Sequence, residues 1–118
     1  MGRKELYLIL EKHKRWLNSE KGGERANLQG VNLQGADLRG ADLDYSCWPL
    51  WCGSLGVHID DRLAKQLLYH LLYNVAYSKH ISEEVKNALL RPDIVALANE
   101  FHRAEWCGKI EAIRTEEK

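Results

Sequence analysis

Three cysteines and five histidines are the side chains best suited to chemistry in this 118-residue sequence. Cys47 and Cys52 lie in the segment CWPLWC, and His102 and Cys107 fall close together near the end. Brought to one place, they would supply a Cys₃His donor set of the kind that holds zinc. Their spacing follows no zinc-ribbon or finger pattern, and unpaired cysteine is among the most buried residue types. Buried structural thiols are the preferred reading, and no metal is assigned. His13 falls on the apolar face of a helix and is expected as a hydrogen-bonded core residue. His58, His70, His80 and His102 are scattered, with no nucleophile or carboxylate at an informative spacing. Catalytic groups assemble in space rather than in sequence, but nothing here positively supports a Cys–His pair. No catalytic residue and no cofactor is assigned.

Binding is better represented. Tyr69, Tyr73 and Tyr77 recur at i, i+4 and i+8 in a helical stretch, on the face that carries Arg62, Lys65 and Gln66. The apolar side of that helix is Leu63, Ala64, Leu67, Leu68, Leu71, Leu72 and Val75. Either a further helix covers the tyrosines, or they form an exposed stripe for a partner or a second copy, since Tyr and Arg are enriched in interfaces. Trp48, Trp51, Tyr69, Tyr73 and Trp106 could also stack a nucleobase, with Arg62, Lys65 and Arg103 on its phosphates. Those residues, with Tyr77, make up the candidate partner- or ligand-binding set. The KHKR run at Lys12–Arg15 divides between helix faces and reads as solvated.

The elements that must position these residues follow from periodicity. Residues 4–18 place Leu6, Ile9, Leu10, His13, Trp16 and Leu17 within an arc of about 120°, an amphipathic helix that SEKGGE ends. From residue 26 an unusual period begins: ANLQG, VNLQG, ADLRG, ADLDY. Five residues match neither helix nor strand. If each five make one side of a four-sided coil, the leucines point inward with the small Ala or Val two residues earlier. The Asn or Asp then bonds backbone near the corner, and glycine relieves the corner sterically. Trp48 in the leucine slot would not fit a narrow interior, so Trp48 and Trp51 are expected as a lid. Helical periodicity returns at 60–78, with Asp60 or Asp61 as cap. Ser82 caps EEVKNALLR, and Pro92 opens a third segment that Gly108 terminates.

The four consecutive units resemble the A(D/N)LxG signature of the pentapeptide-repeat family, over about a sixth of the chain. The resemblance implies an α+β fold: a short right-handed quadrilateral β-helix of one to two coils. An N-terminal amphipathic helix would cap it at one end, and a C-terminal bundle of about three helices would follow. A lone coil cannot stabilise itself, because solenoids need stacked neighbours and sealed ends. The expected organisation is a capping helix and loop at 1–25, the coil at 26–55, a helical region at 56–110 and a frayed tail at 111–118.

Charge narrows the function. Net charge is zero, with +3 in residues 1–25, −2 in 26–45 and −1 beyond. No basic face is clustered enough for nucleic acid, so direct binding to it is disfavoured. MGRKELYLIL carries charge at once and offers no signal-peptide core, and no run approaches a membrane span, so the cytoplasm is expected. The family resemblance implies a non-enzymatic binding protein. The helix pattern LxxILxxHxxWL before GGERA(N/D)L resembles small bacteriophage and prophage proteins. It implies an accessory protein that inhibits a host factor or host defence. The alternatives are a sponge for a nucleotide signal and a DNA mimic that binds topoisomerase. The partner is thus a host protein or a small nucleotide, with a homodimer left open.

Overall fold

The computed structural model describes residues 3–112. The chain divides into two compact units, Met1–Asp60 and Asp61–Lys118. In the first, α1 (Arg3–Leu17) carries Glu5 in its first turn and Lys14 and Arg15 in its last, each suited to the helix dipole. Leu6 and His13 are buried, while Ile9, Leu10 and Leu17 are half-buried. The chain then doubles back at Gly23, where an added Cβ would lie 2.4 Å from the Trp16 nitrogen. Only glycine allows that approach.

Residues 26–45 form a succession of tight turns. Val31, Ala36, Ala41 and Ser46 each donate their N–H to the leucine carbonyl three residues earlier, at 2.9–3.1 Å. The third residue of each turn has positive φ, the type II signature: Gly30, Gly35, Gly40 and, with a side chain, Tyr45. The side chains of Asn27, Asn32, Asp37 and Asp42 each accept the N–H two residues on, at 3.0–3.1 Å. Each corner is therefore held twice. Leu28, Leu33 and Leu38 are fully buried and Leu43 nearly so, as the five-residue spacing requires.

After 20 residues the chain returns alongside itself. Leu33 N–H donates to the Gly53 carbonyl at 2.6 Å, and Leu38 N–H donates to that of His58 at 2.8 Å. The Trp51 indole N–H reaches the Val31 carbonyl at 3.2 Å, and the Cys47 thiol reaches Asn27 Oδ1 at 3.1 Å. Four pentapeptides thus make one circuit. Yet the expected quadrilateral β-helix, and with it the α+β class, is corrected. Among the described residues there is no strand and no sheet, and the one β-bridge is the isolated parallel pair Asp37 and His58. The physical reason is length. Turns consume two of every five residues, and the second pass pairs over only one side, at Gly53, Gly56 and His58, beginning within a 3-10 turn at Cys52–Ser54. A ladder needs consecutive bridges.

The 3-10 turn packs around a tryptophan ring. Gly53, 20 residues after Leu33, has no side chain, and the Trp51 ring stands in front of it. A Cβ on Gly53 would meet the indole at 2.3 Å. The tryptophan expected as a lid thus lies against the second pass, half exposed, while Trp48 is half-buried and Pro49 fully buried.

The described residues of the second unit form four helices: α2 (Asp61–Tyr77), α3 (Glu83–Leu89), α4 (Pro92–Ala98) and α5 (Ala104–Cys107). The Ser82 hydroxyl accepts the Val85 N–H at 3.2 Å, and Pro92 occupies the first turn of α4, as expected. Both α3 and α4 pack on α2. The core joins Tyr69, Leu72 and Val75 of α2 to Leu90, Val95, Ala98, Phe101, Ala104 and Ile110. The segment expected as one helix from Pro92 to Cys107 breaks at 99–103. There the Asn99 side chain both donates to and accepts from the Ile110 backbone at 2.9 Å, and Phe101 turns into the core. Of the expected tail, residues 113–118 lie outside the described residues.

Two substitutions separate conformation from space. Gly35→Ala meets nothing within 4 Å yet must hold φ near +73°, so it should cost about 1 kcal/mol in urea unfolding. Gly53→Ala has the steric conflict instead and should cost more, about 1–3 kcal/mol.

Candidate functional site

The tyrosine series divides by environment. Tyr69 is buried, its ring centroid 4.8 Å from that of Phe101, and its hydroxyl donates to the Gly108 carbonyl. Burial raises its phenol above the ordinary tyrosine range. Tyr73 and Tyr77 continue the series outward, with centroids 5.8 Å from Tyr69 to Tyr73 and 4.7 Å from Tyr73 to Tyr77. Tyr73 is 36% exposed and Tyr77 55%. The face expected to be wet at Tyr69 is therefore core, because the 99–103 break folds Phe101 over it. Conversely Leu71, expected inside, is 53% exposed.

The other predicted residues of this unit fall into two pairs. Lys65 donates to Glu100 at 2.7 Å, and that carboxylate holds the ammonium above its ordinary range. Arg103 lies over the Trp106 ring at 5.5 Å, and Trp106 is 83% exposed. Arg62 is exposed on α2. Trp48 and Trp51 belong to the first unit. The outward aromatic members of the set in this unit are thus Tyr73, Tyr77 and Trp106, with Arg103 stacked on the last. These are the residue types that dominate binding energy in interfaces.

The cysteines depart from expectation. Cys47, Cys52 and Cys107 are free thiols and all exposed, so the reading of buried structural thiols is corrected. Cys47 and Cys52 stand 20 residues after Asn27 and Asn32, whose side chains face outward, and they inherit that outward position. His13 fulfils its expectation. It is fully buried, accepts the Ala26 N–H at Nδ1 over 3.0 Å, and reaches the Asp44 carbonyl with Nε2 at 2.9 Å. Because Nδ1 accepts, Nε2 carries the proton and donates.

A second feature escaped the sequence. A groove of about 620 Å³ runs between α1 and coil residues 37–42, and a smaller one of about 420 Å³ continues past Tyr7 to His58. Arg39 and Asp37 line both, joined by two 2.9 Å bonds from Nε and Nη2. Those bonds hold the Asp37 carboxyl far below the usual carboxylate range, helped by its own bond from the Arg39 backbone N–H. The α1 wall repeats at helical spacing from Tyr7 to Asn18. Its period was readable, but the coil that makes it a groove was not placed by any pattern in the sequence.

Residues 24–47 match the sequence model of one family, pentapeptide repeats (8 copies), over 24 of the 118 residues. No curated protein and no solved structure matches the chain. The first unit therefore contains pentapeptide repeats. Among the described residues, no helix is long and apolar enough to cross a membrane.

The Asp37–Arg39 pair yields a titration test. A lowered folded value means that the pair's stabilisation is present above the unfolded value of about 3.9 and is lost as pH falls through the folded one. The Asp37 carboxyl carbon, followed by NMR, should remain ionised at about pH 3, where ordinary Asp side chains are protonating. Arg39→Ala should return it to the ordinary range.

Proposed function

We propose that this chain is a non-catalytic binding protein that engages a partner protein through Tyr73, Tyr77, Trp106 and Arg103. The observation that carries the reading is Trp106, 83% exposed and stacked under Arg103. An exposed tryptophan is a large apolar surface left in water, and burying it against a partner would return about 25 cal/mol for each Å². Tyr77 adds a second such surface, and both residues lose little side-chain entropy on binding.

The setting we infer is a bacteriophage or prophage accessory protein that inhibits a bacterial host factor or defence. Support for it is the helix-then-repeat pattern LEKHKRWL–GGERANL, and the pentapeptide match is consistent with recognition rather than catalysis. In this reading α1 also seals one end of the coil, a role that the His13 bonds favour.

A nucleotide-signal sponge is the second reading, favoured by the groove of about 620 Å³, a volume suited to one small ligand. The phosphate set expected for it has weaker support, because Lys65 is already committed to Glu100. A DNA mimic for topoisomerase has least, with zero net charge and only one further pass on the coil.

Affinity capture from bacterial lysate, comparing wild type with the triple variant Tyr73→Ala, Tyr77→Ala, Trp106→Ala, tests the first reading. The variant should retain its circular-dichroism spectrum and lose the protein that wild type retains. Equal capture by both proteins would remove this surface from the account. A nucleotide that raises the melting temperature of both proteins alike would favour the second reading.

A further inference from the structure

The stripe of α1 that lines the groove carries one acidic and one basic residue, Glu11 and Lys14, placed symmetrically about its midpoint. Tyr7, Leu10, Glu11, Lys14, Leu17 and Asn18 line the groove and fall within an arc of about 120°. Tyr7, Glu11, Lys14 and Asn18 are exposed, whereas Leu10 and Leu17 are half-buried along the groove edge. Glu11 is only loosely held by Arg15, at 3.6 Å with both side chains about half exposed. Lys14 has no ion-pair partner among the described residues.

The midpoint of this stripe lies between Lys12 and His13. Reversing a second α1 about that point sets Glu11 of each copy beside Lys14 of the other, twice. Tyr7 comes opposite Asn18, phenol to amide, and Leu10 and Leu17 fall on the same flank, offset by about 3 Å along the axis. A parallel arrangement would instead set Glu11 against Glu11 and Lys14 against Lys14. The coil side of the groove sets the small residues Gly40 and Ala41 between the charged Asp37, Arg39 and Asp42, and a neighbouring backbone can come closest at the small pair.

From this we infer that a second copy of this chain docks on the groove, its α1 antiparallel to the first, as an isologous two-fold dimer. An isologous contact requires one self-complementary patch, and the Glu11–Lys14 pattern supplies the complementarity. The surface is independent of the one assigned to a partner protein, so either assignment stands if the other fails.

Sedimentation equilibrium of the full chain tests it, with circular dichroism to show that every variant is folded. Wild type should reach the mass of two chains, and its dissociation constant should rise with salt as the paired charges are screened. Lys14→Glu and Glu11→Lys each turn two attractive pairs into two repulsive ones and should weaken the dimer by about tenfold or more. The double exchange Glu11→Lys, Lys14→Glu restores both pairs and should recover wild-type association. A monomeric wild type overturns the inference. So does a dimer indifferent to the single reversals, or a folded double exchange that remains monomeric.

Discussion

A single imidazole ties the two ends of the repeat together. His13 sits in the interior, with the Ala26 N–H on one ring nitrogen and the Asp44 carbonyl on the other. Ala26 opens the first pentapeptide and Asp44 falls within the fourth, so one ring on α1 spans the whole circuit. The backbone groups concerned are buried, where each would cost about 1–3 kcal/mol if left unpaired. Neighbouring contacts act at the same place. Trp16 stacks on His13 at 5.8 Å, meets Tyr45 edge-on at 6.0 Å and takes the Arg25 guanidinium at 5.7 Å. The Glu24 N–H donates to the Lys12 carbonyl at 3.0 Å. The end of α1 thus clamps the entry and the exit of a coil that has only one pass stacked upon it.

This explains why so short a repeat can hold its shape without strands. Ordinary solenoids gain order from many stacked units. Here the corners are fixed individually, by a type II turn and an Asn or Asp bond at each, and the leucines fill the interior. The cost is a constrained backbone at every fifth residue. Glycine meets it three times, and Tyr45 meets it with a side chain that leans on Trp16.

Much of this was legible in the residues. The five-residue spacing gave the corner geometry, the inward leucines and the 20-residue circuit, because each position has one chemical task. The first helix and the Ser82 and Pro92 boundaries followed from capping chemistry and amphipathic period. The strands expected of the coil did not form, since pairing depends on how far the second pass runs, and it meets the first over one side only, at Gly53, Gly56 and His58. Whether the tyrosines were covered stayed open, because helical phase alone cannot show that Asn99 stops α4 and sends Phe101 over Tyr69. The cysteines were expected inside on average behaviour, yet the repeat assigns the positions of Cys47 and Cys52 outward. The groove needed two elements in place at once, and no local pattern encodes that.

The account of the first unit, and with it the surface assigned to α1, depends on the clamp that His13 sets between Ala26 and Asp44. The most direct test is native-state hydrogen exchange at the Ala26 amide, comparing wild type with His13→Phe. In wild type this amide should exchange only when the first unit unfolds, and the variant should lose that protection while the second unit keeps its own. An Ala26 amide that exchanges in wild type as fast as an exposed loop amide would contradict the account.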